Sequence, residues 1–179
     1  MNQIGYAALK RFDPESTDWK GYIEWAKLPQ LSRIVSMDGC LCPSVFTERT
    51  DEDWNHVINE NFMIDYFHDL EYLLERAQTL PPCEIIGFVK EPDSPFPHGF
   101  TDARFTFFGY DLVDWGNNIS SLVNCGGFPD CFDNAELNEF GLLPTFERAI
   151  EVRDALLRNH PAEPHAKCAV WPLWLMNRT

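Results

Sequence analysis

The sequence predicts an α+β fold: a mainly antiparallel sheet with helices packed on one face. Three observations carry this. Met63, Tyr66, Phe67, Leu70, Leu73, Leu74 and Ala77 form an apolar stripe at helical spacing. The runs 83–90, 105–113 and 169–176 are short and apolar or aromatic, as strands buried in a sheet are. Pro and Gly punctuate the chain between these segments, at Pro81-Pro82, Gly116, Gly126-Gly127, Pro161 and Pro164.

In chain order, residues 4–9 read as a short strand. Ser16-Thr17-Asp18 starts a helix whose inward face is Trp19, Tyr22, Ile23 and Ala26, and Pro29 ends it. Residues 33–37 read as a strand or a second helix, and Asp38-Gly39 as a turn. A helix is expected over 62–77, with Asp65, Asp69 and Glu71 turned to water, and is stopped by Pro81. Strands follow at 83–90 and 105–113. Asn117 or Asn118 is a possible cap for a short helix over 119–123. Asn134 has the same role for one running through Glu139 to Gly141. Pro144-Thr145 opens a helix over 145–158, with Phe146, Ala149, Ile150, Leu156 and Leu157 inward. Pro172 makes 169–176 an edge strand or a bulged one.

The length of 179 residues suits one domain over 1–179. With 45% hydrophobic and 14% aromatic residues there is enough apolar material for a core despite a net charge of −14. That charge is concentrated. Residues 50–75 and 105–147 hold 15 of the 28 acids and no Lys or Arg. Self-repulsion on this scale opposes folding and calls for compensation in the core or in function. Nucleic acid and anionic membrane are poor partners, because both need clustered cations. A basic protein or a cation suits the charge. The start of the chain has no signal-peptide pattern and no apolar run approaches a membrane span, so a soluble cytoplasmic protein with reduced thiols is expected.

Several constellations bear on chemistry. Cys125, Cys131, His165 and Cys168 include two ligand pairs of zinc type. Their spacing fits no zinc knuckle, and buried thiols are the plainer reading. Cys40-x-Cys42 lacks the redox spacing. Cys125 beside Gly126-Gly127 resembles a nucleophile on a tight turn with exposed N–H groups, and His165 or His160 would be its base; the surrounding acids oppose a thiolate there. His56 and His68, with Asp53, Asp65 or Asp69, are a further set of potential ligands, although the pattern H-E-x-x-H is missing, as are a P-loop, G-x-S-x-G and G-x-G-x-x-G. Trp19, Trp54, Trp171 and Trp174 read as core. Trp115, between Asp114 and Gly116, reads either as a residue folded back on the core or as an anchor on an acidic binding surface.

Within residues 109–149, Gly109-Tyr110-Asp111-Leu112, Asn124-Cys125-Gly126-Gly127 and Glu136-Leu137-Asn138-Glu139 resemble elements of small uncharacterised bacterial proteins. In its compact acidic character the chain is similar to immunity proteins of polymorphic toxin systems, which neutralise a toxin by binding it. The resemblance implies a non-enzymatic binding protein without a cofactor, one that covers the active cleft of a basic partner such as a nuclease toxin. The surface expected to do this comprises Asp51, Glu52, Asp53, Asp111, Asp114, Trp115, Asp130 and Asp133. The alternative is a small cysteine-dependent hydrolase or transferase using Cys125 and His165.

Overall fold

The computed structural model describes residues 3–11, 16–60, 63–90, 100–116, 118–123 and 127–177. Among these, six strands form one antiparallel sheet in the order β2-β3-β1-β4-β6-β5. The strands are β1 (Gln3–Lys10), β2 (Val57–Glu60), β3 (Asp65–Phe67), β4 (Cys83–Lys90), β5 (Phe105–Asp114) and β6 (Cys168–Met176). The helices are α1 (Thr17–Ala26), the single turn α2 (Asp53–His56), α3 (Leu70–Ala77) and α4 (Phe146–Asn159). The α+β class and the three long predicted strands stand. No helix among the described residues is long and apolar enough to cross a membrane.

The helix ends follow their caps. The Ser16 hydroxyl accepts from Trp19 N–H at 3.1 Å and opens α1. Lys27 closes it in the left-handed region at φ 56°, with Leu28 N–H reaching back to the Ile23 carbonyl. The Thr145 hydroxyl accepts from Arg148 N–H and opens α4. The Asp69 carboxylate accepts from Tyr72 N–H and opens α3.

This last cap corrects the expected helix over 62–77. Residues 65–67 are the short strand β3, between β2 and β1, and the helix begins only at Leu70. Tyr66 and Phe67 are both buried because they enter opposite faces of a sheet covered on both sides. Phe62 lies outside the described residues. Asp65, expected in water, is 1% exposed and ion-paired with Arg49.

Alternation along β6 defines the two faces. Cys168, Val170, Pro172 and Trp174 point to one side, Ala169, Trp171 and Leu173 to the other. On the first side α3 packs Leu70 and Leu73 against Ala8, Phe67, Ile85 and Phe105. Farther along that face lies α4, whose Phe146 ring meets Tyr110 at 5.8 Å. Helices α3 and α4 therefore share a face, as expected, whereas the ten-residue α1 lies on the opposite one, so the helices are not confined to a single face. On the other side Leu9, Ile86, Phe88, Trp171 and Leu173 join Trp19 of α1 and Ile34, Val35, Met37 and Cys42 in one apolar cluster. Residues 33–37, expected as a regular element, form this irregular cover.

Pro172 does not lie on an edge strand, since β6 runs between β4 and β5. The Tyr110 N–H and C=O bond outward to Leu143, so the Tyr110–Pro172 pair exchanges no ladder bonds. The N–H missing from Pro172 would point to β4, just beyond the last β4–β6 pair, Phe88–Leu173. Proline thus removes no bond there. The Leu143 bridge also covers part of the outer edge of β5.

Two short helices differ from expectation. Residues 118–123 are irregular: Ser120 N–H bonds to the Met37 carbonyl and Ser121 N–H to the Leu112 carbonyl, taking the donors a helix would use. The Asn134 segment is a three-residue 3-10 turn (Asn134–Glu136) capped by Asp133 with a reciprocal Glu136 bond.

Candidate functional site

Among the described residues six carboxylates are buried: Asp38, Asp53, Asp65, Glu84, Asp111 and Asp114. Guanidinium groups answer three of them: Arg76 at Asp53, Arg49 at Asp65, and Arg11 with Arg33 at Glu84. The remaining three gather where the end of β5 meets residues 36–41 and 118–121. Asp111 accepts from Met37 N–H at 2.8 Å, Leu112 N–H at 2.8 Å and the Ser120 hydroxyl at 2.6 Å. Complete burial outweighs these bonds and pushes its carboxyl up to about 7. Asp38 accepts from Cys40 and Leu41 N–H; burial raises its carboxyl too, and the neighbouring His165 opposes that rise.

Asp114 binds His165 Nδ1 at 2.8 Å. This is the geometry that orients an imidazole and leaves Nε2 for other work. The Ser121 hydroxyl donates to the His165 carbonyl at 2.7 Å. The Cys168 thiol, pushed up to about 12 mainly by burial, is no nucleophile. Cys125, the nucleophile the sequence offers, lies outside the described residues.

The expected partner surface does not assemble as one acidic face. Asp53, Asp111 and Asp114 are buried and engaged within the protein, so they are corrected to structural positions. Asp51 and Glu52 are exposed before α2, on a different element. Asp130 pairs with His160 beyond the end of α4, and Asp133 caps its 3-10 turn.

Trp115 is different. It is 65% exposed and not folded onto the core. It lines a groove of about 540 Å³ with Phe146, Ile150 and Leu157 of α4 and Ala166 and Val170 leading into β6. Leu157, expected inward, is half exposed. Positions 146, 150, 153 and 157 form one helical ridge beside the core ridge Ala149, Val152 and Leu156. That second ridge, apolar except for Arg153, widens the apolar stripe of α4 beyond what burial alone needs. Arg153, Asp154 and Lys167 add charge to the lining, and Arg153 pairs with Asp154. Trp54, expected in the core, is also half exposed and lies under the Arg49 guanidinium.

Among the described residues the other candidate metal sets do not assemble, and Cys125 lies outside those residues. Cys131 lies beside His160, the Cys168 thiol faces the Ala166 carbonyl, and His165 belongs to Asp114. Asp53 is locked by Arg76, and His56 stacks on Tyr72 with centroids 3.7 Å apart. Comparisons with protein families, with characterised proteins and with solved structures each return no match.

Proposed function

We propose that this chain is a binding protein of the immunity type, which takes a basic protein onto the Trp115–Leu157 groove. The carrying observation is the placement of two large exposed apolar side chains, Trp115 and Leu157, on one concave apolar surface. The groove itself is nearly charge-balanced. The net charge of −14 acts at longer range, drawing in a basic partner and speeding its association. In this division of labour the groove anchors and the acids steer. The test is affinity capture from the source cell with wild type and with Trp115→Ala/Leu157→Asp. Support is a basic protein held by wild type, lost from the double variant, and toxic when expressed without this chain. Equal capture by both proteins, or an acidic partner, contradicts the proposal.

A second reading rests on the Asp114–His165 pair. With Cys125 as nucleophile, His165 Nε2 would be the base and Asp114 its orienter, in a small hydrolase or transferase. Labelling of Cys125 by an electrophile, suppressed by His165→Ala, supports this reading. Labelling no faster than that of a denatured control contradicts it.

A further inference from the structure

A separate cluster lies at the far end of α4. Asp130, Cys131 and His160 each offer a donor atom within 4.8 Å of the other two, and among the described residues this is the group of three or more such donors. Two short backbone features present them. The turn after Phe128, closed by Cys131 N–H and Phe132 N–H on the Phe128 carbonyl, carries Asp130 and Cys131 side by side. The end of α4, where His160 N–H bonds to the Leu156 carbonyl, carries Asn159 and His160.

The direction of the imidazole distinguishes between chemistries. His160 Nε2 meets both Asp130 oxygens, at 2.8 and 2.9 Å. The Asn159 amide donates to Asp130 Oδ2 at 3.1 Å and reaches Cys131 Sγ at 3.7 Å. In a nucleophilic relay the acid and the nucleophile take opposite nitrogens of the histidine, and the acid sits at Nδ1, as Asp114 does at His165. Here the acid takes Nε2, and the acid and thiol come from adjacent residues on one turn. Such convergence suits a common central ion. We propose that Asp130, Cys131 and His160 bind one transition-metal ion, of the zinc class, with a coordination position left open.

The donor set selects the metal. Imidazole nitrogen with thiolate sulfur and one carboxylate suits zinc and disfavours calcium and magnesium, which take oxygen. Three protein ligands leave a fourth tetrahedral position for water or for a group brought by another molecule. Zinc needs its nitrogen and oxygen ligands about 3.3 Å apart, given bonds of about 2.0 Å. The Asp130–His160 contact must therefore open by about half an ångström. The Asp130 side chain is 49% exposed and has room to rotate. Asn159 holds the carboxylate and sulfur as an outer-shell donor, and the Phe128 ring, 5.0 Å from the imidazole, limits its rotation.

The test is titration of chelator-treated full-length protein with Co²⁺, followed by displacement with Zn²⁺. One equivalent of cobalt should give a thiolate-to-metal charge-transfer band that zinc abolishes. Cys131→Ser should remove the band. Asp130→Asn and His160→Ala should weaken binding tenfold or more, and Asn159→Ala about tenfold. Cys168→Ser and Cys125→Ser should leave it intact. Asp130→Asn alters an exposed side chain and keeps the test valid even if Cys131→Ser fails to fold. The absence of a band, a band lost with Cys125 or Cys168 instead of Cys131, or binding unchanged in Asp130→Asn would overturn the proposal.

Discussion

Arg76 grips Asp53 at two points, Nε to Oδ1 at 2.8 Å and Nη2 to Oδ2 at 3.0 Å, with the carboxylate wholly buried. The Tyr72 hydroxyl and the N–H and hydroxyl of Thr50 occupy the remaining acceptor sites. This joins α3 to the turn before α2, and it holds the Asp53 carboxyl far below the usual range, chiefly through Arg76. Asp53→Asn should cost about 3 kcal/mol in urea unfolding, because it strands a half-buried guanidinium. Adding Arg76→Met should recover much of the loss. Because the folded-state pKa is depressed, the contribution is complete above about pH 4 and fades as pH falls further. The gap between wild type and variant should therefore narrow in acid. A loss below about 1 kcal/mol at neutral pH would place this pair with ordinary surface salt bridges.

Asp111 works in the opposite sense. Its folded-state pKa of about 7 lies above the unfolded value. Between about pH 4 and pH 7 the unfolded chain loses this proton while the folded one keeps it, so stability falls as pH rises. The full effect is about 4 kcal/mol. When Asp111 is protonated, the Ser120 hydroxyl is the partner able to reverse its bond direction, since the other two are backbone donors. Asp111→Asn should flatten the stability profile over this window. Asp38, also raised by burial, adds its charge to the forces that raise Asp111, so the difference between the two proteins reads the loss of Asp111 together with its coupling to Asp38. Parallel profiles for the two proteins would contradict this.

What was legible in the sequence was what depends on local pattern. Helix α4 followed from Thr145 and a helical apolar face, and β4, β5 and β6 from short apolar runs bounded by proline and glycine. Pairs distant in sequence were not legible. A helical stripe through Tyr66 and Phe67 also fits a strand buried on both faces, and only the Asp69 cap separates the two. The acids were misread for a related reason. Sequence shows a run of charge but not that Arg76, Arg49, Arg11 and Arg33 fold back onto buried carboxylates. Asp38 and His165, 127 positions apart, and Cys131 and His160, 29 apart, meet only through the sheet and α4.

Gly109 sits at the irregularity in β5 with φ +151°, in the first of the three elements that carried the family resemblance. A Cβ there would lie 2.7 Å from Leu142 Cβ and 3.1 Å from the Leu143 carbonyl oxygen. Gly109→Ala should cost about 2 kcal/mol and displace the Leu143 bridge. Amide exchange at Tyr110 and Leu143 should quicken together. Unchanged exchange at both would mean that the segment moves aside at no cost.

Thiol reactivity should follow burial. Cys40 is exposed, while Cys42, Cys131 and Cys168 are buried. Among these four, a thiol reagent should modify native Cys40 first and the three buried thiols far more slowly, with every thiol reacting after denaturation. Rapid native labelling of Cys168 would contradict both its burial and the raised thiol.

The groove is tested most directly by the dissociation constant of the recovered basic partner for wild type and Trp115→Ala, measured at low and high salt. A central aromatic anchor predicts a loss of about 2 kcal/mol or more, some thirtyfold, at both salt concentrations. Salt should weaken wild type and variant by similar factors, because the acids that steer lie outside the groove. Equal affinities for wild type and variant, with both proteins folded, would contradict docking at Trp115.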